Sequence, residues 1–194
     1  MGKKFLLSQY TENSLRDHFL IAMPGLRGSF FSDSITYICD HSDQGAMGIV
    51  LNQPLNIHLD EVFDQLALNY APTASEMPVL SGGPVNAQQG FVLHRDTGKW
   101  DSTLQISHGV CLTASRDIVS AIAEEKGPPG AQFALGYAGW SPGQLEEEIS
   151  ENSWLAVPAD KSIIFDVPIN KRRQAVADEL GVDLNLISGE IGHA

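Results

Sequence analysis

The chain of 194 residues is short of the residues that nucleic-acid, membrane and disulfide-scaffold proteins depend on. It has two cysteines, Cys39 and Cys111, far apart and in no CxxC or zinc-ligand pattern. That usage fits a reducing cytoplasm and two free thiols. Basic residues are scarce, with 12 Lys and Arg against 24 Asp and Glu and a formal net charge of -12. Both halves carry about twice as many acids as bases, so no basic half exists to displace counterions from a phosphate backbone. Direct nucleic-acid binding is not expected. The one basic triplet, Lys171-Arg172-Arg173, reads as the solvated face of a helix.

Long apolar runs are also missing. Met1-Gly2-Lys3-Lys4 starts like an export signal, but only Phe5, Leu6 and Leu7 follow before polar residues resume. Leu6 stands where a myristoylation motif wants Ser or Thr. The uncharged stretch from Gly127 to Leu145 is broken by glycines and prolines and cannot span a bilayer as a helix. No repeat of solenoid period occurs, and neither GxGxxG, GxxxxGK[ST] nor GxSxG is present. Cytoplasmic location, no membrane partner and no cofactor are therefore expected.

The 43% hydrophobic content is that of an ordinary globule, and the length suits one domain, given about 150 residues per domain as a guide. Short β-branched or aromatic runs bounded by turn residues predict strands at Phe19–Met23, Ile35–Cys39, Met47–Leu51, Val79-Leu80, Gly90–His94, Leu104–Ser107, Gln132–Tyr137, Trp154–Val157 and Ser162–Phe165. The second and third form a hairpin, with a loop longer than two residues. Leu59, Val62, Phe63 and Leu66 make one helical stripe, and Ile118, Val119, Ile122 and Ala123 another, led by Ser115 as N-cap. Ser141-Pro142-Gly143-Gln144 has the order of an N-cap serine, a first-turn proline and a capping-box glutamine. A last helix is expected over 168–180, closed by Gly181. Hairpins with about four irregularly placed helices make an α+β fold with a curved, mainly antiparallel sheet, with a doubly wound fold as the alternative.

Several groups of residues invite a chemical reading. Cys39 and His41 are two apart on a strand, so both side chains would share one face and could pair as thiolate and imidazole; a buried cysteine beside a loop histidine explains the same spacing. Ser107, His108 and Cys111 lack a nucleophile elbow. Ser81-Gly82-Gly83-Pro84 follows a strand, and its glycines would permit close backbone approach or free amides for an anion; a plain tight turn looks the same. Tyr137-Ala138-Gly139-Trp140 places aromatics before a helix, as a pocket wall or as core. Glu146, Glu147, Glu148 and Glu151 form an acidic helix face, read as solvated surface.

In order along the chain, Phe19-Leu20-Ile21-Ala22-Met23-Pro24, Tyr37-Ile38-Cys39-Asp40-His41, Gly45-Ala46-Met47-Gly48-Ile49-Val50, Gly82-Gly83-Pro84, Gly90-Phe91-Val92-Leu93-His94, Ala134-Leu135-Gly136-Tyr137-Ala138-Gly139-Trp140, Gly143-Gln144-Leu145-Glu146 and Gly192-His193-Ala194 resemble the YqgE/AlgH family. The resemblance covers about 18–194 as a single domain and leaves 1–17 as an N-terminal extension. It implies a bacterial cytoplasmic protein with an α+β fold on an antiparallel half-barrel, in a family without an established catalytic activity and with one member labelled a regulator of alginate synthesis. Here Gly28-Ser29 stands where the family tends to have Asp-Pro, and Asp33 and Gln89 stand where it tends to have arginine, so no anion site is carried over.

Two functional expectations follow. The first, from the missing catalytic motifs, is a non-enzymatic regulatory or binding protein that acts through a protein partner or a small-molecule cleft. The second is an enzyme of undetermined reaction using His94, or the Cys39 and His41 pair. If there is one site, Asn52, Gly82, Gly83, His94, Trp140 and Gln144 converge on a concave surface with His41 at its rim, and no metal takes part.

Overall fold

The computed structural model describes residues 13–184. Strands β1 (His18–Ala22), β2 (Ile35–Ser42), β3 (Gly45–Val50) and β4 (Pro54–His58) precede helices α1 (Leu59–Gln65) and α2 (Pro72–Ser75). Next come β5 (Pro78–Ser81), β6 (Val85–His94), β7 (Thr103–Ser107), β8 (Val110–Thr113) and α3 (Arg116–Ala123). They are followed by β9 (Gln132–Trp140), α4 (Gln144–Ser150), β10 (Trp154–Pro158), α5 (Lys161–Phe165) and α6 (Arg172–Leu180).

The sheet runs β10-β1-β2-β3-β9-β6-β8-β7, with β5 parallel to β9 and β4 antiparallel to β5. Alternation along the strands sorts side chains onto two faces. Phe19, Ile21, Tyr37, Leu93, Leu112 and Val157 gather in one core, which joins strands from both ends of the sheet and so marks the concave side of a curled half-barrel. Helices α5 and α6 fill that side through Ile163, Ile164, Phe165 and Val176. On the other face α4 covers Leu20, Ile38, Trp140 and Trp154, while α1 and α3 cover Val92 and Phe133. The fold is α+β, with a curled, mainly antiparallel sheet.

Arg16 draws the two ends of the curl together. Its guanidinium donates to the carbonyls of Gln105 and Ile106 on β7, the second at 2.9 Å, and lies 3.5 Å from Asp40 on β2. Ser14, Leu15 and Asp17 are equally built in: the Ser14 hydroxyl donates to His41 O, the Leu15 amide to the His41 ring and the Asp17 amide to Ile38 O. Residues 14–17 thus precede β1 and are hydrogen-bonded to the sheet without being strand. The N-terminal extension through residue 12 and the Gly192-His193-Ala194 motif lie outside the described residues.

Other expectations shift for identifiable reasons. Ser162–Phe165 is not a strand but part of α5, because the Asp160 side chain accepts from Ser162 N at 2.8 Å and caps a turn whose apolar residues are all buried. Strands β4 and β8 escape the sequence pattern, the first for its exposed residues and the second for its length of four. The β2–β3 loop is only Asp43-Gln44, since Ser42 pairs with Gly45. Helix α4 starts at Gln144 after Gly143, not after Ser141, although the Gln144 side chain does accept the Ser141 amide at 2.9 Å. The triplet at 171–173 is not one solvated face. Arg172 is 2% exposed and donates to Val167 O, Leu51 O and Gln132 Oε1, at 3.1, 2.8 and 2.6 Å, while Arg173 pairs with Asp33 at 3.2 Å.

Candidate functional site

Helix α4 gathers three of the candidate residues. His41 is buried, accepts the Leu15 amide on Nδ1 at 2.8 Å and therefore presents Nε2–H to Glu146 Oε1 at 2.7 Å. Two residues further along α4, Glu148 accepts the indole N–H of Trp140 at 2.9 Å, that of Trp154 at 2.8 Å and the Gln144 amide at 2.9 Å. These two sets of bonds fasten α4 onto the sheet. The half-buried Glu148 with three neutral donors around it is part of the aromatic core, so the acidic face of α4 is only partly the solvated surface its composition suggested.

Asn52, Gly82 and Gly83 meet at a different place, where β5 leaves the edge of β9 and β3 takes over. The Asn52 side chain accepts from Ile35 N at 2.8 Å and donates to Asp33 O at 2.9 Å, which ties the start of β2 to the end of β3. Gly82 donates to Leu135 O and accepts from Val50 N, both at 2.8 Å, so its backbone is not free for an anion. A Cβ on Gly82 would lie 2.4 Å from Gly136 O, and one on Gly83 only 1.9 Å from the Tyr137 carbonyl carbon. Close approach of two backbones is the reason for both glycines.

Neither proposed nucleophile stands ready. A bulge in β2 between Ile38 and Asp40 breaks the alternation, so Cys39 enters the concave core while His41 turns to α4 on the other face. The expectation that both side chains share one face is thereby corrected, and the alternative of a Cys39–His41 pair goes with it. Burial pushes the Cys39 thiol far above the ordinary range and that of Cys111 up to about 11. His94 is also buried. Its Nδ1–H donates to Arg95 O at 2.7 Å, Nε2 accepts the Thr113 hydroxyl at 2.7 Å, and burial lowers its pKa against the raising effect of Arg95 O. The seven candidates thus do not form one surface: His41, Trp140 and Gln144 share α4, Asn52, Gly82 and Gly83 share the β5 exit, and His94 stands alone on β6.

A walled groove lies elsewhere. A groove of about 520 Å³ runs between α1 and α3, with Val92, Phe133 and Leu135 as an apolar floor and residues 87–90 of β6 as one lip. That lip is a local departure from the ladder. Val85 pairs with Tyr137 and Gly90 with Leu135, so Asn86, Ala87, Gln88 and Gln89 stand opposite the single residue Gly136 and all four are exposed. The other walls are Glu61, Val62 and Gln65 of α1 and Ser115, Arg116 and Val119 at the start of α3. Thr113 lines the groove and is the same hydroxyl that His94 receives, so His94 stands one layer behind the wall. A wider depression of about 750 Å³ opens beside Met47, Phe91 and Tyr137 and touches Trp140 alone among the seven. The α1 and α3 stripes in the sequence point to these helices as core elements; the bulged residues 87–89 that line the groove lie before the strand predicted at Gly90–His94 and carried no sign of it.

A family model described as AlgH-like matches residues 19–185. The chain belongs to the AlgH-like family. A UPF0301 protein of Saccharophagus degradans is 62% identical over 181 residues, spanning 93% of this chain and 89% of that one. One from Nitrosococcus oceani is 50% identical over 180 residues, spanning 92% and 96%. Among solved structures, the AlgH protein from Pseudomonas aeruginosa superposes with a TM-score of 0.79 at 42% identity, covering 97% of this chain and all of that one. A Corynebacterium diphtheriae protein at 21% identity shares the fold, with a TM-score of 0.69 over 93% and 94% of the two chains. Among the described residues no helix is long and apolar enough to cross a membrane, and no His, Cys, Asp and Glu side chains cluster as metal ligands.

Proposed function

We propose that this AlgH-like protein is a binding protein that receives its ligand in the groove between α1, α3 and the bulged part of β6, and that it regulates through that ligand rather than by catalysis. The observation that carries this reading is the make-up of the groove: an apolar floor beside four exposed residues of β6 left without ladder partners. A volume of this order is typical of ligand pockets. Candidate nucleophiles and bases, by contrast, are occupied in holding the fold: Cys39 and Cys111 in the core, His41 between Leu15 and Glu146, His94 between Arg95 and Thr113.

The acidic surface and two unionised thiols suit a cytoplasmic protein that acts through a partner and does not contact DNA. Residues from Ser14 to Leu180 act as one unit in this reading, because Arg16 closes the same sheet that α6 fills.

A ligand-observed NMR screen of small apolar amide fragments tests it. Fragments that bind the native protein should lose their signal against a Gln65→Trp/Gln89→Trp variant, which fills the groove from two exposed rim positions without touching the core. Hits that survive both substitutions would place binding elsewhere and overturn the reading.

A further inference from the structure

Independently of that groove, we infer that the wider depression on the concave face is the seat of this chain's own N-terminal segment, with Phe5, Leu6 and Leu7 laid on Met47, Val85, Phe91 and Tyr137. Two observations carry this. The first is what the depression leaves uncovered. Helices α5 and α6 fill the concave side through Ile163, Ile164, Phe165 and Val176, yet Met47 and Tyr137 pack on that same core and stay only half-buried, as does Val85 beside them. The Phe91 and Tyr137 rings meet edge-on at 5.8 Å, and no Lys or Arg lines the depression. Removing such side chains from water is favourable in proportion to the apolar area covered.

The second is where the chain enters the fold. Residues 1–12 precede the described residues, and the Ser14 hydroxyl donates to His41 O at 3.0 Å. His41 stands between Asp40 and Ser42, both of which line the depression, and Asp40 and His41 pair across the sheet with Met47 and Ala46, which line it too. The segment therefore leaves from the rim. From the position of β1, Tyr137 on β9 is three strands away, or ~14 Å at about 4.8 Å per strand. Leu7 precedes Ser14 by seven residues, and an extended chain of that length reaches ~23 Å. Phe5-Leu6-Leu7 is the one run of three apolar residues in the segment, set between Lys3-Lys4 and Ser8-Gln9. Tethered at the rim, it has an effective concentration on the order of millimolar, which a free partner would have to outcompete. With the concave side taken by the chain itself, the groove between α1 and α3 remains the surface open to other molecules.

Paramagnetic relaxation in the full chain tests the assignment. A nitroxide on Ser8→Cys should broaden the amides of Met47, Val85, Phe91 and Tyr137, and the native chain put through the same labelling gives the background from Cys39 and Cys111. Phe5→Ser/Leu6→Ser/Leu7→Ser keeps the tether and removes the apolar contact, so most of that broadening should be lost. Val85→Glu, which alters the seat at a half-buried position and leaves the segment intact, should release it in the same way. Equal broadening with and without the apolar triplet would show proximity from the tether alone and overturn the inference. Broadening that passes to an isotope-labelled native chain mixed with the nitroxide-bearing one would make the occupant a second copy, and the inference fails. Broadening centred on Gln88 and Gln89 would put the segment in the groove between α1 and α3 and overturn it as well.

Discussion

His41 and Glu146, 105 positions apart in sequence, meet in a 2.7 Å hydrogen bond between Nε2 and Oε1 that joins β2 to α4. The two ends of this bond differ in burial, the histidine side chain being 4% exposed and the glutamate 55%. Removing them should therefore cost different amounts. His41→Ala leaves the Leu15 amide without its acceptor and opens a void, and is expected to lower the unfolding free energy by about 2–4 kcal/mol. Glu146→Gln keeps an acceptor at an exposed position and should cost less than about 1 kcal/mol. Urea unfolding of both variants checks the pair; equal losses would show that the bond to Glu146, rather than the buried ring, holds α4.

His94 gives the protein a pH dependence of known sign. Burial lowers its folded-state pKa, more than hydrogen bonding to Arg95 O raises it. Below the ordinary value of about 6.5 the unfolded chain then binds a proton that the folded one refuses, so stability is full above that pH and is lost as pH falls toward the lowered value. His94→Gln, which can still reach Thr113 and Arg95 O, should flatten the melting temperature between about pH 7.5 and 5.5. An unchanged slope would mean that the ring is not neutral in its Thr113 bond.

Thiol chemistry separates a structural from a nucleophilic cysteine. With Cys39 enclosed and Cys111 pushed up to about 11, both should react slowly with a disulfide reagent in native buffer at about pH 8, and at ordinary rates once unfolded. Fast reaction of either in the native state would restore the case for catalysis.

The curled sheet was largely legible because its strands are short, β-branched and bounded by turns, and Phe19–Met23 and Gly90–His94 needed little more than that. What escaped depends on contacts made at long range. The three apolar residues Ile163, Ile164 and Phe165 read equally well as strand or helix until Asp160 capped them. The Cys39–His41 pairing failed on one extra residue in β2, since a bulge reverses the face of everything after it. Gly82, Gly83, Asn52 and Gln144 were singled out as cleft candidates; at these positions the structure has backbone crowding and bracing, to which a sequence gives the same signs as to a ligand. The groove was not legible because its lip consists of polar residues that a regular strand would have placed on a solvent face.

Arg172 is a case where charge misled and burial decides. Burial without a carboxylate partner among its hydrogen bonds brings the guanidinium pKa down to about 10, and three acceptors hold it between β9, the end of β3 and the segment before α6. Arg172→Lys keeps the charge but cannot reach the three acceptors with one ammonium, and should destabilise by about 2–4 kcal/mol. Equilibrium unfolding measures it; a loss below about 1 kcal/mol would show that net charge, and not the fork of donors, matters at this position.

Amide chemical-shift mapping of the labelled protein with a bound fragment tests the central claim most directly. The groove account requires the largest changes at Gln88, Gln89, Val92 and Val119, with a weaker effect at His94 transmitted through Thr113. Changes centred on Met47, Phe91 and Tyr137, around the wider depression on the concave face, would contradict it.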